Sequence, residues 1–115
     1  TRVELRSPDS AANPYLTLAV CLAAGLEGIR EKIMPPESIN RNIFELSEEE
    51  RKALNIDVLP TNLMHALQEL KKDKFICNVL GEHICSKYIE AKEKEWDRYK
   101  ASVTDWEIQA YLGKY

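Results

Sequence analysis

Apolar and polar positions alternate only at the start of this chain and then take up a helical period that persists to the end. Arg2-Val3-Glu4-Leu5-Arg6 reads polar, apolar, polar, apolar, polar, the period of a β-strand, which sets Arg2, Glu4 and Arg6 on one face and Val3 and Leu5 on the other. Ser7-Pro8-Asp9 turns the chain. Asn13 is a suitable N-cap, and Pro14 fits the first helical position, where its missing N–H costs nothing. From Tyr15 to about Leu26 apolar residues fall on nearly every side, which predicts a helix buried by several neighbours. Glu27, Arg30, Glu31 and Lys32 mark an end in water, and Pro35-Pro36 is expected to stop the helix. Gly25 and Gly28 weaken it, through either close approach of another backbone or plain tolerance.

The stretch 37–60 is irregular except for a short acidic helix starting at Ser47. Ser47 and Glu50 have capping-box spacing, and Glu48, Glu49 and Glu50 oppose the positive end of the helix dipole, so these acids need no catalytic role. Thr61 can cap a helix carrying Leu63, Ala66, Leu67 and Leu70. Lys71 to Lys74 form a polar break, and Phe75, Ile76, Val79 and Leu80 form another apolar patch ending at Gly81. The longest helix is predicted from Glu82 to about Ser102, with Ile84, Tyr88, Ala91, Glu95 or Trp96, Tyr99 and Val103 as its core stripe. Thr104 and Glu107 open a final short helix. Its Ile108, Tyr111, Leu112 and Tyr115, broadened by Trp106 and Ala110, must dock on their own domain or in a partner's groove. The fold class expected is mainly α: one N-terminal strand, then about five helices.

Composition narrows the function classes. The 115 residues suit one compact domain, able to bury about two-thirds of its unfolded surface. Nineteen acids against 16 bases give a net charge of −3, which offers no basic footprint for nucleic acid. The apolar run from Tyr15 to Leu26 is too short to span a bilayer, so no membrane association is expected. Cys21, Cys77 and Cys85 lie in apolar helical patterns without framework spacing, which favours reduced thiols in a cytosolic protein over disulfides. Cys77, His83 and Cys85 are close enough in sequence for a zinc site but lack an evident fourth ligand. His65 sits beside the apolar residues of its helix, as a satisfied or half-exposed histidine. No phosphate-binding glycine loop or nucleophile elbow is present.

The charged face of the first segment is the remaining candidate for chemistry. A carboxylate can hold a hard divalent cation, and guanidinium forks can hold phosphate or carboxylate oxygens, so the row suits a metal-nucleotide and an acidic substrate. A solvated sheet face with paired charges has the same pattern.

The longer string distinguishes these readings. Arg2 through Asp9, two alanines, Asn13-Pro14-Tyr15-Leu16 and the Ala/Leu-rich stretch to Gly25-Leu26-Glu27-Gly28-Ile29 closely resemble the C-terminal region of type I glutamine synthetases. The resemblance continues through Asn42-Ile43-Phe44-Glu45-Leu46, Ser47-Glu48-Glu49-Glu50, Leu59-Pro60 and Thr104-Asp105-Trp106-Glu107, and covers the whole chain. Ser10 stands where many members have a second proline.

The resemblance implies a ligase that forms L-glutamine from L-glutamate, ammonia and ATP through a γ-glutamyl phosphate, with Mg2+ or Mn2+ as metal cofactor. By the family's motif Glu4 is a metal ligand, Arg6 binds glutamate and steadies the transferred phosphoryl group, and Arg2 lines the nucleotide side. The other metal ligands, the flap glutamate and the other arginines belong to sequence upstream, and no catalytic residue proper falls within these positions. The chain alone is expected to be inactive, to bind metal weakly, and to leave its first strand disordered or paired with another copy. Residues 1–9 are then an active-site strand and turn, 10–103 a helical region and 104–115 an assembly helix, within the C-terminal part of an α+β catalytic domain. The resemblance further implies a cytoplasmic dodecamer of two hexameric rings. Phe44, where some members have the tyrosine that accepts AMP, implies an enzyme without that switch, of the kind controlled by feedback and, in some lineages, by transcription regulators. Phe44 is otherwise expected to pack in its loop. The alternative from a different class is a free-standing helical interaction module working through its apolar tail.

Overall fold

The computed structural model describes residues 1–2 and 4–114. These divide into two compact units, Thr1–Thr61 and Asn62–Tyr115, and in each the helix ends follow from local side-chain caps or backbone turns.

In the first unit, helix α1 spans Pro14–Arg30, with Pro14 in its first turn. Asn13 Oδ1 accepts from the N–H groups of Tyr15 (3.0 Å) and Leu16 (3.2 Å), satisfying two donors that the helix itself leaves unpaired. The helix ends before the two prolines expected to stop it. Lys32 adopts φ +53°, the Ile33 N–H reaches back to the Gly28 carbonyl (2.9 Å) and the Lys32 N–H to that of Ile29 (3.2 Å). This is a Schellman closure with lysine at the left-handed position. Helix α2, Glu48–Ala53, opens with the expected capping box and closes in the same way through Asn55, φ +52°, with Ile56 N–H bonded to Arg51 O (2.9 Å). A 3-10 turn, Ile43–Glu45, precedes it.

Two expectations for this unit are corrected, and one open alternative is decided. Among the described residues there is no strand, because the alternating segment has no neighbouring strand to supply ladder hydrogen bonds. Val3, half of its expected apolar face, lies outside the described residues, and Leu5 is exposed. Helix α1 buries no residue; Leu18, Leu22, Leu26 and Ile29 are all more than half exposed. A Cβ added at Gly25 or Gly28 would meet nothing within 4 Å, so neither glycine is required here by a close backbone. Leu46 is the unit's buried hydrophobe.

The second unit has a core of its own. Helices α3 (Leu63–Lys72), α4 (Lys74–Leu80) and α5 (Glu82–Lys100) pack pairwise, and α6 (Asp105–Tyr111) follows. Asn62, rather than Thr61, caps α3: its Oδ1 accepts from the His65 N–H at 2.9 Å. Asp73 ends α3 and caps α4 through the Ile76 N–H (3.0 Å), so the polar break of 71–74 narrows to one residue. Gly81, φ +81°, makes the corner into α5, a conformation that few other residues adopt.

Leu67 and Cys85 are the buried side chains. The inward line of α5 is Cys85, Ile89, Lys92 and Trp96, which shares Trp96 with the predicted stripe and otherwise lies next to it; Ile84, Tyr88, Tyr99 and Val103 are exposed. Both lines have helical spacing, and packing against α3 and α4 selects between them. Lys71 of α3 pairs with Glu93 of α5. The expectation of three reduced thiols is corrected too: Cys77 and Cys85 are joined, with Cα atoms 5.4 Å apart, and Cys21 is free. No group of three or more potential metal ligands, Cys77, His83 and Cys85 included, occurs among the described residues.

Candidate functional site

Arg2, Glu4 and Arg6 come together without a sheet to align them. Arg6 Nε donates to Glu4 Oε1 at 2.7 Å, Arg6 Nη2 lies 2.7 Å from the same oxygen, and Arg2 Nη2 stands 3.7 Å from Oε2. One carboxylate thus lies between two guanidinium groups, leaving a net positive cluster. Both arginines are 85% exposed and Glu4 49%, so water screens the pairs and they add little to stability. Their significance is chemical: exposed guanidinium N–H groups can receive phosphate or carboxylate oxygens, and Oε2 is beyond hydrogen-bonding distance of Arg2 Nη2.

A local turn connects this row to α1. Asp9 Oδ1 accepts from the Ala11 N–H (2.7 Å), and Asp9 O from the Ala12 N–H (3.0 Å), just ahead of the Asn13 cap. As for a divalent cation, Glu4 offers hard oxygen donors of the right kind, but Mg2+ takes six ligands. The row fits as one contributor to a larger set. No helix among the described residues is long and apolar enough to cross a membrane.

The segment around Phe44 is built differently. Asn42 Oδ1 accepts from the Phe44 N–H (3.2 Å), and Asn42 Nδ2 donates to Glu45 Oε1 (2.7 Å), tying the 3-10 turn to its own cap. Arg41 reaches Glu50 of α2 at 3.2 Å. Phe44 is fully exposed at the tip of this turn and does not pack in its loop as expected. In the second unit a depression of about 530 Å³ is lined by Glu69, Leu70, Lys72, Asp73, Lys74 and Ile76; none of the candidate site residues lines it.

Comparison with known proteins decides the family. The family model described as glutamine synthetase, catalytic domain, matches residues 1–111. This chain belongs to the glutamine synthetase catalytic-domain family. Glutamine synthetase of Methanosarcina mazei is 54% identical over 112 residues, that of Methanococcus voltae 52%, each match covering 97% of this chain and 25% of the relative. That of Clostridium saccharobutylicum is 47% identical over the entire chain. A solved structure described as apo GmaS without ligand superposes with a TM-score of 0.70 at 33% identity, covering 95% of this chain and 25% of that one. The chain therefore spans about a quarter of the length of the relatives it matches. The interaction-module alternative gains nothing from these matches.

Sequence reasoning missed the Cys77–Cys85 pair, although the signal was present. They stand eight positions apart in sequence, with Gly81 between, so a helix–corner–helix path can bring both sulfurs to one side.

Proposed function

We propose that this chain is the C-terminal portion of a glutamine synthetase, and that the whole protein joins ammonia to L-glutamate at the expense of ATP. The observation that carries the reading is the Arg2–Glu4–Arg6 cluster, with Glu4 held 2.7 Å from Arg6, within a member of this family. Phosphorylating the substrate's side-chain carboxylate gives γ-glutamyl phosphate, an acyl donor from which ammonia displaces phosphate. Such a transfer needs its negative charge neutralised in place. Arg6 holds the glutamate and the moving phosphoryl oxygens, and Arg2 lies on the nucleotide side. Glu4 contributes one carboxylate to a magnesium or manganese site completed by residues outside this chain; the bound ion supplies charge neutralisation at the phosphates.

Further parts of the reading concern assembly and control. Trp106 and Tyr111 of α6 and its C-cap Leu112 are more than half exposed, an apolar end suited to locking two hexameric rings into a dodecamer. Phe44 has no hydroxyl and so accepts no AMP, which leaves feedback or a transcription regulator for control. The whole protein works in the cytoplasm.

Arg6→Gln and Glu4→Gln in the full-length protein test the site. Each is expected to lower ATP-dependent glutamine formation by about 10²–10³-fold, the usual cost of removing a group that stabilises transition-state charge. Arg6→Gln should also raise KM for glutamate, and Glu4→Gln the metal concentration at half-activity. Unchanged kinetics in both would refute these roles. The 115-residue chain alone should make no glutamine, and calorimetry should detect no stoichiometric magnesium uptake by it.

A further inference from the structure

We propose that Cys77 and Cys85 are a reversible thiol–disulfide pair, a modification site that reads the oxidation state of small cellular thiols and locks the corner between α4 and α5. Their Cα atoms are 5.4 Å apart, within the range a disulfide spans without moving backbone. They lie on consecutive helices on either side of Gly81, whose positive φ fixes the corner. The reduced state is accommodated as well. Cys77 Sγ lies 3.5 Å from the carbonyl oxygen of Leu70 on α3, an acceptor for its thiol proton, and the Cys85 N–H is bonded to Gly81 O (2.9 Å), a backbone bond that does not involve the sulfur. Cys21 belongs to the other unit and is free.

Exposure orders the chemistry. Cys85 is 4% exposed, whereas Cys77 is only partly buried, so a small disulfide such as glutathione disulfide meets Cys77 first. The Cys77 thiolate attacks one sulfur and expels one glutathione thiolate, giving a mixed disulfide. The Cys85 thiolate then attacks Cys77 Sγ and expels the second. In sum, two protein thiols and one glutathione disulfide give one protein disulfide and two molecules of glutathione; the protein loses two hydrogens and the small disulfide gains them. The proposal is independent of the ligase reading.

The test uses the full-length protein, incubated with glutathione disulfide or dithiothreitol, alkylated, and cleaved after Lys74 and Lys87 so that peptide 75–87 carries both cysteines. After oxidant this peptide should be lighter by two hydrogens than its unalkylated form and resist alkylation, and dithiothreitol should restore two alkylation sites with the fold intact. Cys85→Ser should trap glutathione on Cys77, whereas Cys77→Ser should leave Cys85 without it. The proposal is overturned if both cysteines remain alkylatable after oxidant, if each takes up glutathione separately, if the bond resists dithiothreitol in the folded protein, or if the two variants trap glutathione equally. If either serine variant fails to fold, the oxidised and reduced wild-type peptides alone decide the pairing.

Discussion

In Asn62–Tyr115, α3, α4 and α5 pack on one another and bury Leu67 and Cys85. In Thr1–Thr61 the longest helix, α1, leaves Leu18, Leu22, Leu26 and Ile29 more than half exposed. The two units have similar apolar patterning in sequence but differ in what their helices meet. One closes a small core with its own residues. The other holds its helices by caps and Schellman ends, and presents its apolar surface together with the charged row. A row of exposed large hydrophobes along one helix is unusual for a finished surface. It accords with α1 belonging to a longer protein whose remaining residues cover it.

Truncating one leucine in each unit tests this contrast most strongly. Leu67 is 2% exposed, so Leu67→Ala should destabilise the second unit by about 2–5 kcal/mol, the cost of lost burial plus a cavity. Leu22 is 66% exposed, and Leu22→Ala in the 115-residue chain should change stability by less than about 0.5 kcal/mol. Urea denaturation followed by circular dichroism measures both. Equal losses would erase the distinction between the units. In the full-length protein Leu22→Ala should instead cost as much as a core truncation, and a neutral result there would argue against α1 being covered.

A smaller effect separates the units at their caps. Asn13→Ala and Asn62→Ala each remove a side-chain acceptor from a helix start, a loss of about 1 kcal/mol. Packing against α4 and α5 supports α3, so Asn62→Ala should lower the melting temperature with little change in helix signal at room temperature. Helix α1 buries none of its residues, so Asn13→Ala should reduce the helix signal itself. Similar changes in signal for the two variants would mean that α1 is held by more than its ends.

These contrasts also show how much the sequence disclosed. Features whose cause lies within a few residues were legible: the Asn13 cap and Pro14, both capping boxes, the turn at Gly81, and the Arg2–Glu4–Arg6 row. Features that depend on distant partners were not. The alternation of residues 2–6 demands a strand only if another strand lies beside it. The apolar positions of α5 form two adjacent lines, and the choice of Cys85–Ile89–Trp96 over Ile84–Tyr88–Tyr99 is made by α3 and α4. Lys32 and Asn55 end their helices in a conformation usually given to glycine, so composition pointed past them to Pro35-Pro36. The candidate site was legible as residue types in a spacing; how Arg6 Nε and Nη2 meet Glu4 Oε1 without a sheet was not, because that geometry is set by side-chain pairing rather than by strand alternation.

The smallest effect distinguishes the two capping boxes, one in each unit. The Ser47 N–H, and then the Arg41 side chain, hold the Glu50 carboxyl below its ordinary pKa; the Thr104 N–H and hydroxyl do so for Glu107. A carboxyl lowered on folding contributes stability that is complete above its unfolded pKa, roughly 4.3, and lost as pH falls through the folded value, because the unfolded chain then binds more protons. Helix signal should therefore fall on acidification below about pH 4. Glu90, held between Lys87 and Lys94 at about 2, titrates later. Glu50→Gln and Glu107→Gln should flatten the acid response, since glutamine still accepts from the cap N–H but does not titrate. Salt near 1 M, where screening acts within about 3 Å, should shift the Glu50 transition upward by weakening Arg41, and move that of Glu107 less, because its causes are hydrogen bonds to uncharged groups. Carbon-13 NMR of the two carboxyls reads each transition separately. Equal salt shifts would show that Arg41 contributes nothing particular to the first unit's cap.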